Sequence, residues 1–365
     1  MSDRMRAGII GVGFMGTVHA RAARACGATV AAVAASSPER ARAAAESVGA
    51  EAVADSAEEL IGRDDIDVVH ICTPNDTHLA LTELALAAGK HVICEKPLAT
   101  DLASALRLAA AANSAAARGL VTSVPFVYRY YPVVREARAR VQRGDAGRLH
   151  LLHGSYLQDW LADAADTDWR VDSARGGPSR AFADIGVHWC DMVEFVSAHR
   201  IIRLFARLLT AHEARGADQV PVATEDAATV MFETDQGALG SVVISQVSPG
   251  RKNRLWFSLD GAAASLSVNQ ESPESLWVGT RQSVSLIPRG SESTSAAARA
   301  LDRLPAGHPQ GYQDCFTAFV ADTYASIGGA PADGLPTFHD GLRAARITDS
   351  VLASAAGNRW VEVPR

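Results

Sequence analysis

Over the first third of the chain, short apolar runs alternate with helical stretches. Arg6–Ile10, Thr29–Ala34, Asp67–Cys72, His91–Cys94 and Leu120–Pro125 read as strands. Thr17–Ala25, a segment opening at Ser37-Pro38-Glu39, Thr77–Ala88 and Leu102–Ala117 read as helices. The strand runs are short and mostly apolar. That pattern fits strands buried on both faces, and its alternation with helices predicts a covered parallel sheet. Local signals agree: Ser37 suits an N-cap, Pro38 the first helical position, Glu39 the positive helix end, and Gly89 a helix stop.

The rhythm then changes. Tyr131–Arg143 and Ile185–Ala198 read as helices. Around them lie longer runs: Leu149–Leu157, Ile201–Leu209, Ala227–Glu233, Leu239–Val247, Leu255–Leu259, Ala263–Val268, Ser275–Val278 and Ser283–Ile287. Turn residues such as Asp235-Gln236-Gly237 and Asp260-Gly261 separate several of them, which predicts a mostly antiparallel meander. Ser291–Ala300 reads as loop, Gln310–Ser326 and Gly341–Ala355 as closing helices, and Trp360–Val363 as a last strand. The expected division is residues 1–125 as one α/β domain and 126–365 as a second.

Composition narrows the class. A chain of 365 residues is long enough for two domains. With 48% hydrophobic and 21% charged residues it is globular rather than disordered. A net charge of -6 offers no footprint for nucleic acid or anionic lipid. The apolar runs are broken by Glu83, Lys90 and Glu95, so none reads as a membrane span. Five cysteines without CxxC spacing argue against a disulfide framework. A glycine loop is under way by Gly11, leaving no room for a secretory leader before it, so a cytoplasmic protein is expected.

Gly11-x-Gly13-x-x-Gly16, with Phe14 and Met15 inside it, follows a strand and opens a helix. Glycines there permit a tight turn and close approach of a pyrophosphate, which helix amides can bind. The second strand of such a fold usually ends in an acid that binds the adenosine ribose. Here it ends Ala34-Ala35-Ser36-Ser37. Hydroxyls at Ser36 and Ser37 and the Arg40 guanidinium suit a 2′-phosphate instead, so NADP is favoured slightly over NAD. Ser37 as a mere helix cap and Arg40 as a solvated side chain is the plainer alternative.

Glu95-Lys96-Pro97 ends a strand at the edge where open α/β sheets bind ligands. Lys96 is one of only three lysines, the others being Lys90 and Lys252. An X-Pro bond is ordinarily trans, and that is the expectation here. Asp184 and His188 are four apart, so on one helix they share a face. A carboxylate near an imidazole supports proton transfer; a capping Asp beside an unrelated His is the alternative. Trp160, Trp169 and Arg170 lie in a loop rich in carboxylates. They suit either a sugar, whose C–H faces bind aromatic rings, or a neighbouring subunit. His70, Cys72, His91 and Cys94 do not converge as a metal set, because alternation on two buried strands explains them; no metal is expected.

Taken together, these motifs resemble the Gfo/Idh/MocA family (glucose–fructose oxidoreductase and inositol dehydrogenase-like proteins). The resemblance rests on Gly11–Gly16, Thr73-Pro74-Asn75 with His78, Glu95-Lys96-Pro97, Tyr128–Pro132, Asp184–His188, Gly311-Tyr312, and Phe338–Leu342 to Trp360-Val361. It implies a Rossmann domain followed by an α/β domain with a large open sheet, through which members form dimers or tetramers. It implies that Lys96, Asp184 and His188 form the catalytic group and also bind substrate, with Lys96 among the cofactor contacts as well. Thr73, Pro74, Asn75 and His78 would lie along the cofactor, with Glu95 near the nicotinamide and Arg129 among the substrate contacts. In the family the Lys-Pro bond is often cis, and an Arg at the position of Arg40 contacts the phosphate of NADP. The implied activity is hydride transfer between NAD(P) and a secondary alcohol or ketone of a sugar, cyclitol or polyol. The family also contains NAD-dependent glycosidases that oxidise transiently, and non-catalytic regulators.

Overall fold

The computed structural model describes residues 4–292, 294–330 and 332–365. The chain divides into two compact units. The first takes the chain through Val127 and then Tyr312–Leu342; the second takes Tyr128–Gly311 and Arg343–Arg365.

In the first unit β1 (Arg6–Ile10), α1 (Phe14–Ala25), β2 (Thr29–Ala34), α2 (Pro38–Val48), β3 (Ala50–Val53), α3 (Ala57–Ile61), β4 (Val68–Ile71), α4 (His78–Ala87), β5 (His91–Cys94), α5 (Leu102–Ala116) and β6 (Thr122–Ser123) follow in order. The six strands are parallel, in the order β3-β2-β1-β4-β5-β6, a Rossmann sheet. Strand order reverses between β1 and β4, the position at which such sheets bind ligands at their carboxyl ends. Val30, Val33, Val68, Val69, Ile71, Val92 and Ile93 are buried, which is why these runs lack alternation. β3 and α3 carry too few apolar positions to announce themselves.

The later helix α10 (Tyr312–Ile327) belongs to this unit, although the sequence division at residue 125 assigns it to the second domain. Phe316 and Phe319 are buried, and the Phe316 ring meets His19 edge-on at 4.6 Å. Thr337 bridges back to Ser123. Helical periodicity tells that a face is buried, not which core receives it.

The second unit holds α6 (Pro132–Arg143), β7 (Leu149–Leu157), a single turn α7 (Ser173–Gly176), α8 (Val187–Ser197), β8 (Ile201–Leu209), a short hairpin of β9 (Ala214–Arg215) and β10 (Val220–Pro221), then β11 (Ala227–Thr234), β12 (Leu239–Ser245), β13 (Arg254–Gly261), β14 (Ser265–Asn269), β15 (Ser275–Gly279) and β16 (Val284–Pro288). The turn α9 (Ala296–Arg299), capped by Ser295, falls in the stretch expected as loop; Ser293 there lies outside the described residues. The long helix α11 (Phe338–Gly357) enters this unit at Arg343, and β17 (Val361–Glu362) ends it.

Nine strands form one sheet, ordered β16-β15-β14-β13-β7-β12-β11-β8-β17. All neighbours are antiparallel except β7 and β12, so the sheet is mixed. One face is buried by Val230, Phe232, Val242, Ile244, Leu255, Phe257 and Leu259, with α8 packed on it. The Trp189 indole donates to the Trp256 carbonyl at 2.9 Å. It gets there because residue 154 is glycine: a Cβ at that position would lie 2.7 Å from the indole nitrogen. On the other face Leu151, Met231, Leu239, Val243 and Leu286 are exposed. Among the described residues no helix is long and apolar enough to cross a membrane.

Candidate active site

In the first unit the chain leaves β1 at Gly11, whose φ of +94° favours glycine. A Cβ at Gly11 would lie 2.6 Å from the Cys72 carbonyl oxygen, and one at Gly16 would lie 1.9 Å from the Gly11 carbonyl oxygen. Both glycines therefore close the turn. At Gly13 a Cβ would meet nothing within 4 Å, so open space lies over the start of α1. That helix has neither a side-chain cap nor an acidic residue in its first turn. An open, uncapped helix start fits a pyrophosphate. Phe14 is exposed beside it, and Met15 Sδ accepts from the Tyr312 hydroxyl at 3.8 Å.

At the end of β2, Ser37 caps α2 by accepting from the Arg40 amide at 3.3 Å. The Arg40 guanidinium donates to Ser36 Oγ at 3.3 Å, and both groups are exposed. The cap reading of Ser37 thus holds, and Ser36 and Arg40 stand together beyond Ala35.

The loops after β4 and β5 are tied by one side chain. His78 Nε2 lies 3.0 Å from the Thr73 carbonyl oxygen and Nδ1 2.9 Å from that of Pro97. Burial pushes the His78 imidazole below its usual pKa, opposed by those two carbonyls. The neutral ring donates to one of them at a time. Thr73 Oγ1 lies 2.5 Å from Thr77 Oγ1, which donates to the Pro74 carbonyl oxygen, and Asn75 is buried in the same turn. The Lys96–Pro97 bond is cis, where the residue type alone suggested trans. Glu95 is buried, and its Oε2 accepts from the Lys96 amide at 3.0 Å.

In the second unit the helix bearing Asp184 and His188 begins with a π-helical stretch, Phe182–Gly186, before α8. Such stretches are rare inside helices and frequent at functional sites. The stretch is anchored by Glu225, which accepts from Ser179 Oγ at 2.7 Å and from the Phe182 amide at 2.8 Å. Asp184 Oδ2 accepts from Gln246 Nε2 at 2.7 Å, and its Oδ1 lies 3.6 Å from Arg170 Nε. Gln246 is oriented in turn, because its Oε1 accepts from Arg180 Nη1 at 3.2 Å. Arg180 pairs with Asp226, which Arg215 also holds at 2.6 Å. Burial alone would raise the Asp226 carboxyl, but its two arginines outweigh that and hold it below the usual range.

His188 is buried, with Tyr128 edge-on at 5.0 Å and Tyr156 at 6.5 Å between centroids. Tyr156 donates to Asn253 Oδ1 at 2.7 Å, so the Tyr128 hydroxyl, 2.6 Å away, donates to Tyr156. Asn253 Oδ1 also accepts from Gln158 Nε2 at 2.8 Å, and Gln158 Oε1 accepts from Trp160 Nε1 at 2.8 Å. The Arg170 guanidinium lies 4.4 Å over the Trp169 ring. Within this unit the structure thus links Trp160 to the surroundings of His188, and Trp169 and Arg170 to Asp184.

Arg129 forms a buried bidentate pair with Asp191 and lies over the Phe195 ring. Sequence reasoning missed Gln246, Asn253, Gln158 and Tyr156. A single amide at the end of an apolar strand, as in Val243-Ile244-Ser245-Gln246, is the faint signal that was there. Among the described residues no cluster of His, Cys, Asp or Glu has the arrangement of a metal site.

The fold and the glycine loop define a dinucleotide-binding oxidoreductase of two units. Residues 5–123 match the oxidoreductase family with an NAD-binding Rossmann fold, and residues 134–267 match the GFO/IDH/MocA C-terminal domain. Levoglucosan dehydrogenase of Pseudarthrobacter phenanthrenivorans is 30% identical over 100% of this chain and 99% of its own. A solved levoglucosan dehydrogenase in complex with NADH and levoglucosan, also 30% identical, superposes with a TM-score of 0.92 over 99% of this chain and 100% of that one. An inositol dehydrogenase homolog from Azotobacter vinelandii, complexed with NAD+, is 28% identical with a TM-score of 0.89, over 99% and 98% of the two chains. This chain belongs to the Gfo/Idh/MocA family and is an NAD(P)-dependent oxidoreductase.

Proposed function

We propose that Lys96, Asp184 and His188 are the catalytic residues of an oxidoreductase acting on the CH–OH groups of a sugar or polyol. The carrying observation is the setting of Asp184: a carboxylate on a π-helical stretch, bonded to Gln246, beside Arg170, and four residues before a buried His188. A bound nicotinamide supplies the hydride acceptor, or the donor in the reverse direction. His188 takes the hydroxyl proton as the alcohol is oxidised. Lys96 binds the substrate oxygen and stabilises its developing negative charge. Asp184 orients His188 or holds a neighbouring hydroxyl.

Trp160, Trp169 and Arg170 serve the substrate: ring faces meet C–H surfaces, and the guanidinium binds hydroxyls. The full-length likeness to levoglucosan dehydrogenase puts levoglucosan first in a substrate panel, with inositols beside it. At the adenosine end, Ser36 and Arg40 without a carboxylate at Ala35 favour NADP. The two solved relatives described above hold NADH and NAD+, so titration of both cofactors is the test of this preference. The exposed apolar sheet face supports a homodimer or homotetramer. Five cysteines without CxxC spacing suit a reducing, cytoplasmic setting.

The test is a set of variants assayed for both turnover and dinucleotide binding. Lys96→Ala abolishes most turnover while leaving dinucleotide affinity largely intact. His188→Ala lowers turnover by roughly 10²–10⁴-fold, the usual contribution of a positioned acid–base. Full turnover in both variants removes the assignment.

A further inference from the structure

Four polar side chains from distant parts of the first unit form an unbroken chain, buried except at its Tyr324 end, that hydride transfer does not itself use. Glu95 Oε1 lies 3.0 Å from His19 Nε2, His19 Nδ1 lies 2.9 Å from His70 Nδ1, and His70 Nε2 lies 2.9 Å from the Tyr324 hydroxyl. His19 and His70 are fully buried. Each histidine spends both ring nitrogens on this chain, so one proton choice fixes the rest.

Glu95 Oε2 accepts from the Lys96 amide, and Oε1 lies against His19 Nε2. A carboxylate that accepts at both oxygens puts the proton shared with His19 on Nε2. With Nε2 protonated, neutral His19 accepts at Nδ1, so His70 donates from Nδ1 and accepts at Nε2 from Tyr324. The opposite order protonates Glu95 and leaves the Tyr324 proton with no acceptor in the chain. Burial pushes the His70 imidazole well below and the Tyr324 phenol well above their usual values, which keeps both neutral. Cys72, Cys94 and His78 also face Glu95, and Lys96 follows it in the chain. Burial pushes both thiols up and His78 down, so these too are neutral; Cys26 faces Tyr324 and donates to the Thr317 carbonyl.

In a Rossmann sheet the strands beyond the β1/β4 reversal serve the second nucleotide, which in a nicotinamide dinucleotide carries the reacting ring. Glu95 stands at the carboxyl end of β5, on that side. We propose that Tyr324 and His70, acting through His19, are positioning residues that hold Glu95 as an ionised acceptor before Lys96 and so favour the cationic oxidised nicotinamide over the neutral reduced one. The cofactor part rests on the reading of Glu95 as a nicotinamide neighbour; the proton order does not.

Two measurements test it. Long-range proton–nitrogen correlation spectra of wild-type protein labelled with ¹⁵N-histidine, assigned with His19→Gln and His70→Asn, read the tautomers. The expected result is a proton on Nε2 of His19 and on Nδ1 of His70 near neutral pH. A proton on Nδ1 of His19 overturns the proposal. Separately, affinities for NADP+ and NADPH are titrated in Glu95→Gln, His70→Leu, His70→Asn and Tyr324→Phe. Glu95→Gln is expected to weaken the oxidised form relative to the reduced by about tenfold, the scale of one nearby charge. His70→Leu shifts the ratio the same way, Tyr324→Phe partway, and His70→Asn, whose amide can still donate to His19, keeps the wild-type ratio. A shift in Glu95→Gln with none in His70→Leu and Tyr324→Phe overturns the positioning role. An unchanged ratio in Glu95→Gln overturns the placement of Glu95 beside the nicotinamide, while the tautomers still report on the proton order.

Discussion

Single side chains at two positions, Ala35 and Asp226, are open to direct test. At the end of β2, Ala35 stands where a ribose-binding carboxylate usually sits, and Arg40 reaches Ser36. Ala35→Asp should move the ratio of NADP to NAD affinity toward NAD, since a carboxylate accepts from the ribose hydroxyl and repels the phosphate. Parallel titrations of both cofactors read this out, and a wild type that binds NAD far more tightly removes the role given to Arg40. Asp226 is the other such position. It sits, fully buried, between Arg180 and Arg215, so Asp226→Asn leaves two buried guanidinium groups without their counter-ion. The expected loss is about 3–5 kcal/mol in urea unfolding at neutral pH. Because the folded carboxyl lies below its unfolded value, its stabilisation is complete above the unfolded pKa of about 3.9 and disappears as pH falls through the folded one. The gap between wild type and variant should therefore close below about pH 4.

Elements differ in how openly the sequence declares them. The strands β1, β2, β4 and β5 were legible because short, mostly apolar runs ending in Gly, Thr-Pro and Glu-Lys-Pro have few other uses. β3 and the β9–β10 hairpin were not: Ala50–Val53 contains a Glu, and Ala214–Arg215 and Val220–Pro221 are two residues each. The spacing of Asp184 and His188 was visible, but the π-helical stretch was not, because it depends on Glu225 and Gln246 more than forty positions downstream. The Trp loop was visible as composition only. Its connection to the site runs through Asn253 and Asp184, which no local pattern links to Trp160 or Arg170. The relay was equally silent, since Tyr324 joins His70 across 254 positions.

At the scale of the whole molecule, the second unit presents one covered and one open sheet face. Leu151 and Leu239 are paired in register across β7 and β12 on the open face, and both are exposed. An apolar face of this kind suits association with a second copy. Replacing both leucines with lysine should shift the protein to a smaller species in light scattering at matched concentration, and a wild type that is already monomeric removes this interface.

The central claim, net hydride transfer from a carbinol carbon under the control of His188, is tested most directly by following the hydrogen itself. Levoglucosan and inositols deuterated at the carbinol carbons are incubated with the oxidised cofactor, and the mass of the reduced cofactor is measured. The account predicts accumulation of reduced cofactor carrying deuterium with wild type, and a loss of roughly 10²–10⁴-fold in its rate with His188→Ala. Consumption of a sugar with no net reduced cofactor would contradict it, and would point to transient oxidation instead.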